Sequence, residues 1–136
     1  MPYIHKRPTR DDYKRLVNDR WKGVSNRTPS SNEECIKGFK LLYRKATGES
    51  WTGKIRITSG NRHNWCRYNR KSRSWVWNLN PSRSWKDLIH SVSHWANLLE
   101  GNHTYNQLYC ERDLTTYALK RGFHQGNLAP KLEKVQ

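Results

Sequence analysis

Apolar side chains recur at helical spacing in the first third of the chain, once in residues 9–24 and again in residues 31–48. The first stripe consists of Tyr13, Leu16, Val17 and Trp21. The second consists of Cys35, Ile36, Phe39, Leu42 and Tyr43. Both stripes predict amphipathic helices. The second helix begins with a capping box formed by Ser31 and Glu34 and ends at Gly48.

Between residues 51 and 80 the spacing of apolar positions changes from the helical period to a period of two. Residues 54–58 alternate polar and apolar side chains, and residues 74–79 do so in part. The stretch between them, residues 60–73, has room for a third short strand flanked by basic turns. The pattern predicts a small antiparallel sheet.

Helical spacing returns after Pro81, where Ser84 is placed to cap a helix and Asp87 lies in its first turn, near the positive end of the helix dipole. A last helix is predicted for residues 105–121, ending at Gly122. The chain therefore predicts an α+β fold: two N-terminal helices, a small antiparallel sheet, a helix that carries a metal site and a C-terminal helix. We expect one domain over residues 1–130 and a basic tail over residues 131–136.

Two histidines on the helix after Pro81 are spaced to share a metal ion. His90 and His94 are four residues apart, so both rings project from one face of the helix. At about 100° per residue they fall opposite the apolar stripe of the same helix. The alternative is a pair of histidines that simply face solvent.

A third ligand would decide between these alternatives, and the sequence offers two. His103 follows the helix directly, and Glu111 lies on the inward face of the C-terminal helix. The alternative for Glu111 is a salt bridge with Arg112 or Arg121, because a carboxylate at the edge of a core needs a partner. Because imidazole is a common ligand of zinc, zinc is the metal that we expect at a site built from these histidines.

The chain is strongly basic, with 26 Lys and Arg against 11 Asp and Glu, a formal charge of +15. This excess predicts contact with a polyanion, most simply nucleic acid. Cations and aromatic side chains alternate in and beside the predicted sheet, an arrangement typical of surfaces that bind single strands. The residues concerned are Arg56, Arg62, Trp65, Arg67, Tyr68, Arg70, Lys71 and Arg73.

Two alternatives remain for the aromatic residues. Trp75, Trp77 and their neighbours are candidates for the hydrophobic core, with the cations on the opposite, solvated face. Seven tryptophans in a chain this short also suit a protein interface, so a protein partner is the second possibility. The three cysteines are widely spaced, and neither a signal peptide nor a membrane span is visible in the sequence, so we expect a cytoplasmic protein.

The order of these motifs resembles that of small zincin-like proteins encoded by phages and prophages. The resemblance covers about residues 74–132: the strand 74–79, a proline, the helix from Ser84 with its two histidines, His103, Glu111 and the segment 120–128. It implies a zinc-peptidase-like core in which His90 and His94 bind the metal and His103 or Glu111 is the third ligand. If the chain is phage-encoded, its compartment is the host cytoplasm.

One position departs from the zinc peptidases. Those enzymes carry a glutamate directly after the first histidine as general base for the zinc-bound water, and here that position is Ser91. The sequence therefore favours a protein that binds metal and contacts nucleic acid but has no peptidase activity. The alternatives are an active metallohydrolase with an unusual base, or a phage protein that binds a host or virion protein.

Overall fold

The computed structural model describes residues 7–24, 27–98 and 103–125. Within these residues the chain forms four α-helices and one three-stranded sheet, which confirms the predicted α+β class. The helices are α1 (Arg10–Leu16), α2 (Asn32–Thr47), α3 (Trp85–Ala96) and α4 (Tyr105–Arg121). The strands are β1 (Lys54–Ile57), β2 (Trp65–Asn69) and β3 (Ser74–Leu79). The predicted basic tail, residues 131–136, lies outside the described residues.

The capping residues identified in the sequence fix the ends of α2. The Ser31 side chain accepts a hydrogen bond from the Glu34 backbone N–H (3.0 Å), and the Glu34 carboxylate accepts one from the Ser30 N–H (2.8 Å). The helix ends at Gly48, whose φ of 80° is the left-handed conformation that glycine adopts without steric cost. The side chain of Ser84 caps α3 in the same way, as predicted.

The first helix is shorter than the 9–24 predicted. It ends at Leu16, and a 3-10 helix, Asn18–Trp21, follows it. Asn18 and Asp19 are poor helix formers because their side chains compete for nearby backbone groups. The tighter turn keeps Val17 and Trp21 buried in the core.

The sheet has the strand order β1-β3-β2. β2 and β3 form the antiparallel pair that the sequence predicts. For the other pair the prediction was wrong, because β1 runs parallel to β3. The strand without charged residues, β3, takes the centre, and the two strands that carry charged residues take the edges, where unpaired backbone groups are hydrated.

One face of the sheet, the buried face, packs against the helices, although Tyr68 and Trp75 at its margin are exposed. The other, the exposed face, is open to solvent except at the buried Val76. On the buried face Trp77 and Leu79 are inaccessible to solvent, and the ring of Trp77 packs 4.8 Å from that of Phe39 in α2. The exposed sheet face carries two rows of neighbours across the three strands: Lys54, Val76 and Arg67 in one, and Arg56, Asn78 and Trp65 in the other.

α3 packs against both α2 and α4. Leu88, Ile89 and Val92 are buried there, whereas His90 and His94 are only half-buried. The two histidines thus lie off the apolar stripe, as the helical wheel predicts. None of the helices in the described parts of the chain combines the length and the apolar character that a membrane span requires.

Candidate metal centre

Three histidines meet where α3 faces the start of α4. His90 and His94 come from α3, and His103 precedes α4. Their ligand nitrogens all lie within 4.8 Å of one another, within reach of a single ion. Nitrogens that share a tetrahedral zinc are about 3.3 Å apart, so movements of about 1 Å would close the site. We call these residues the histidine triad.

A helix cap holds His103 in an unusual backbone conformation. Its φ of 55° is in the left-handed region, which residues other than glycine rarely adopt. Its N–H donates to the side-chain oxygen of Gln107 (2.7 Å), and the Gln107 N–H donates to the Thr104 hydroxyl (3.2 Å). This reciprocal arrangement is a variant of the capping box, and it fixes the chain just before α4.

Glu111 lies beside the triad and outside the group that could share the ion. Its carboxylate is buried and accepts hydrogen bonds from Nδ1 of His90 (2.9 Å) and from the Tyr13 hydroxyl. Arg112 pairs with Asp113 instead, and Arg121 lies over the ring of Tyr117. With Nδ1 of His90 bound to a carboxylate, Nε2 is the nitrogen left for a metal, the arrangement that commonly orients zinc-binding histidines.

The surroundings move the pKa values of these groups in different directions. Burial opposes the charged form of His90, but the hydrogen bond and charge of Glu111 outweigh it and raise the His90 pKa. Burial, followed by the positive charges of His90 and Arg7, lowers the pKa of His103. Burial and then the charge of Glu111 raise the pKa of Tyr13, so its hydroxyl remains a donor.

A cleft of ≈ 800 Å³ runs from the exposed sheet face past β2 to the triad, all three members of which line it. Trp65 of β2 forms part of its wall, with its ring centroid 6.1 Å from that of His94. A smaller cavity of ≈ 240 Å³ reaches His90 and His103 from the side of α1. An ion at the triad would therefore be accessible to a ligand in the cleft.

The described wall of the cleft contains a single carboxylate, and the residue directly after His90 is not acidic. Ser91 lines the cleft directly after His90, where a zinc peptidase has glutamate. Asp87 is the one acidic residue among those that line it. Its oxygens accept a hydrogen bond from Asn64 (2.9 Å) and contact His63 (3.3 Å) and Arg83 (3.7 Å).

The structure divides the basic and aromatic residues singled out in the sequence into two groups. Five of them line the cleft: Arg56, Arg62, Trp65, Arg67 and Tyr68. The other three, Arg70, Lys71 and Arg73, are exposed in the turn between β2 and β3 and are not part of its wall. Of the two tryptophans considered for the core, Trp77 is fully buried, whereas Trp75 is 45% exposed.

Three supporting residues were not identified from the sequence: Tyr13, Asn64 and Gln107. Tyr13 is 98 positions from Glu111, so no local pattern connects them. The bond from Asn64 to Asp87 likewise depends on how the loop before β2 folds against α3. Gln107 could have been found, because Thr104 and Gln107 have the spacing of a capping box.

Comparison of the chain with protein-family models, with curated proteins and with solved structures gives no match. The resemblance to zincin-like proteins stays a prediction, supported only by the residues that carry it.

Proposed function

We propose that this protein binds one zinc ion through His90, His94 and His103, in a zincin-like site that lacks the peptidase base. The observation that carries this proposal is the convergence of three imidazoles from two parts of the chain within reach of one ion. Imidazole is a preferred ligand for zinc, and three protein ligands leave a fourth position open.

The surroundings of the triad fit a zinc ion in two further respects. The buried Glu111 carboxylate orients His90 through Nδ1, which leaves the other ring nitrogen for the metal. The cleft provides access to the open position.

The chemistry proposed for this site is binding without peptide hydrolysis. A general base contributes about 10²–10⁴ to the rate of such reactions, and a serine hydroxyl cannot take a proton from water at neutral pH. Asp87 is held by Asn64, His63 and Arg83, so it is not free to replace the base. A zinc-loaded protein that nevertheless cleaves peptides would support the alternative, an active metallohydrolase with an unusual base.

Metal analysis tests the proposal. The untagged protein is loaded with zinc, dialysed and analysed by mass spectrometry, beside the His90→Ala/His94→Ala variant and a control variant, His63→Ala/His124→Ala. The control removes the same number of imidazoles from positions outside the triad. We expect about one zinc per chain in the wild type and the control, and none in the triad variant. An absence of zinc from the wild type, or its retention by the triad variant, would contradict the proposal.

We also propose that the protein works in a reducing cytoplasm. Its cysteines Cys35, Cys66 and Cys110 are free thiols, and burial raises the pKa of Cys35 and of Cys66 to about 12. Thiols that stay protonated resist oxidation and serve as small apolar core residues.

A further inference from the structure

The wall of the cleft carries an excess of positive charge. Arg56, Arg62 and Arg67 line it, and none of the three forms an ion pair with any residue in the described ranges. Asp87, the one carboxylate among the described residues of the wall, already contacts Arg83 and Asn64. Three cations with no anionic partner among the described residues suit a ligand that carries several negative charges.

One large aromatic side chain lies among these cations. Trp65 is 39% exposed, although such a large ring is usually buried. On the exposed sheet face Trp65 shares a cross-strand row with Arg56, and Arg67 lies in the adjacent row. Because β3 lies between β1 and β2, Arg56 and Trp65 are two strand spacings apart, about 10 Å, a distance that one extended ligand can span.

The loop that carries Arg62 is fixed by two buried asparagines. The Asn80 side chain donates to the backbone oxygens of Gly60 (3.1 Å) and Arg62 (2.6 Å), and its backbone N–H donates to the Asn64 side chain (2.7 Å). A fixed loop lowers the entropy cost of binding. The backbone that carries Arg62 is therefore in place before a ligand arrives.

We propose that this cleft binds single-stranded nucleic acid, with a base stacked on Trp65 and phosphates held by Arg56, Arg62 and Arg67. Exposed rings require unpaired bases, because the bases of a duplex are already stacked on one another. The inference rests on the proposed function in one respect: it names the ligand class of the cleft in which the triad lies.

The turn between β2 and β3 offers a matched control. Arg70 and Lys71 are as exposed as the cleft arginines but lie outside the cleft wall. Replacement of Arg70 and Lys71 by alanine removes the same charge as replacement of Arg56 and Arg67. Binding in the cleft and diffuse attraction to a basic surface therefore give different results for these two variants.

The test is fluorescence anisotropy with a labelled oligothymidylate of about 12 nucleotides, a length within the usual range of site sizes for single strands. For the Arg56→Ala/Arg67→Ala variant we expect a loss of affinity of at least about tenfold. Its plot of log affinity against log salt should be shallower than that of the wild type by about 1.4, since each lost phosphate contact accounts for about 0.7. The Arg70→Ala/Lys71→Ala variant should lose less than about threefold. Equal losses in the two variants would overturn the inference.

The aromatic contribution has its own pair of variants. Trp65→Ala should weaken binding by about 5- to 150-fold, whereas Trp65→Phe, which keeps a ring, should retain most of the affinity. An unlabelled duplex of the same length should compete poorly. Effective competition by the duplex, or equal weakening by both substitutions, would overturn the assignment of Trp65 to base stacking.

Zinc content, measured for every variant, separates this inference from the proposed function. The cleft variants should keep their zinc while losing the oligonucleotide. A wild type that binds zinc but not the oligonucleotide would overturn this inference and leave the metal site standing. A wild type that binds the oligonucleotide in the cleft without holding zinc would support the inference and contradict the metal site.

Discussion

At the scale of single residues, the position of Glu111 sets it apart from the three histidines that lie within reach of one ion. The spacing of His90 and His94 predicts a metal-binding pair, but spacing cannot choose between His103 and Glu111 as the third ligand. That choice depends on how α4 packs against α3. In the fold, the ring of His103 lies within reach of the same ion as His90 and His94. The Glu111 carboxylate instead accepts a hydrogen bond from Nδ1 of His90.

Removal of the negative charge of Glu111 should weaken zinc binding. We expect Glu111→Gln to lower zinc affinity by about 10- to 100-fold, because supporting carboxylates raise the basicity of the ligand and fix its orientation. Competition with a chromophoric chelator measures the change. Tyr13→Phe, which keeps the carboxylate and removes only its second donor, should have a smaller effect. An unchanged affinity in Glu111→Gln would show that His90 does not depend on this contact.

Ser91 should be the position that limits hydrolysis. If the site is zincin-like, Ser91→Glu restores the general base and should raise zinc-dependent peptide cleavage by about 10²–10⁴ over the wild type. Ser91→Gln, which has nearly the same shape but cannot accept the proton, is the control. A fluorogenic peptide assay measures the gain. A zinc-loaded Ser91→Glu variant that remains inactive would argue against the zincin-like geometry.

At the scale of elements, local signals and long-range pairing differ in how well the sequence predicts them. Ser31, Ser84 and Gly122 correctly predict helix ends, because capping involves only residues a few positions away. The parallel pairing of β1 with β3 was missed. The direction of this pairing depends on which strand takes the centre of the sheet, and no local sequence pattern predicts the order of the strands.

α1 shows how a short helix is held beside the site. None of its residues is fully buried, and its attachment includes a hydrogen bond from the Tyr105 hydroxyl to Asp12 (2.6 Å). This bond, and next that of Arg15, lower the pKa of Asp12 below its ordinary value of 3.8. A carboxyl group whose pKa is lowered on folding stabilises the fold above its unfolded pKa, and this contribution is lost as pH falls through the folded value.

Tyr105→Phe should therefore destabilise the protein in a pH-dependent way. We expect a lower melting temperature than that of the wild type at pH 7, and convergence of the two as pH falls below the folded pKa of Asp12. Thermal unfolding followed by circular dichroism across this range measures the difference. A difference that is constant with pH would show that the hydroxyl does not act through the Asp12 carboxylate.

At the scale of the whole molecule, the triad and its supports connect separate parts of the fold. His90 and His94 belong to α3, His103 precedes α4, and Glu111 extends the contacts to Tyr13 in α1. An ion bound only by the folded chain stabilises it by mass action.

Zinc should therefore raise the melting temperature. At free zinc about 100 times the dissociation constant, the expected stabilisation is about 2.7 kcal/mol. For a chain of this size, that corresponds to roughly 5–10 °C. The His90→Ala/His94→Ala variant should show no shift, and His63→Ala/His124→Ala should shift like the wild type. Equal shifts in both variants would place the zinc elsewhere.

The most direct test of the metal centre is anomalous diffraction at the zinc absorption edge, from crystals grown with zinc. We predict one strong peak about 2.0–2.1 Å from a nitrogen of each of His90, His94 and His103, with Glu111 bonded to His90 and not to the metal. A crystal without such a peak, or a peak ligated by Glu111 in place of His103, would contradict the account.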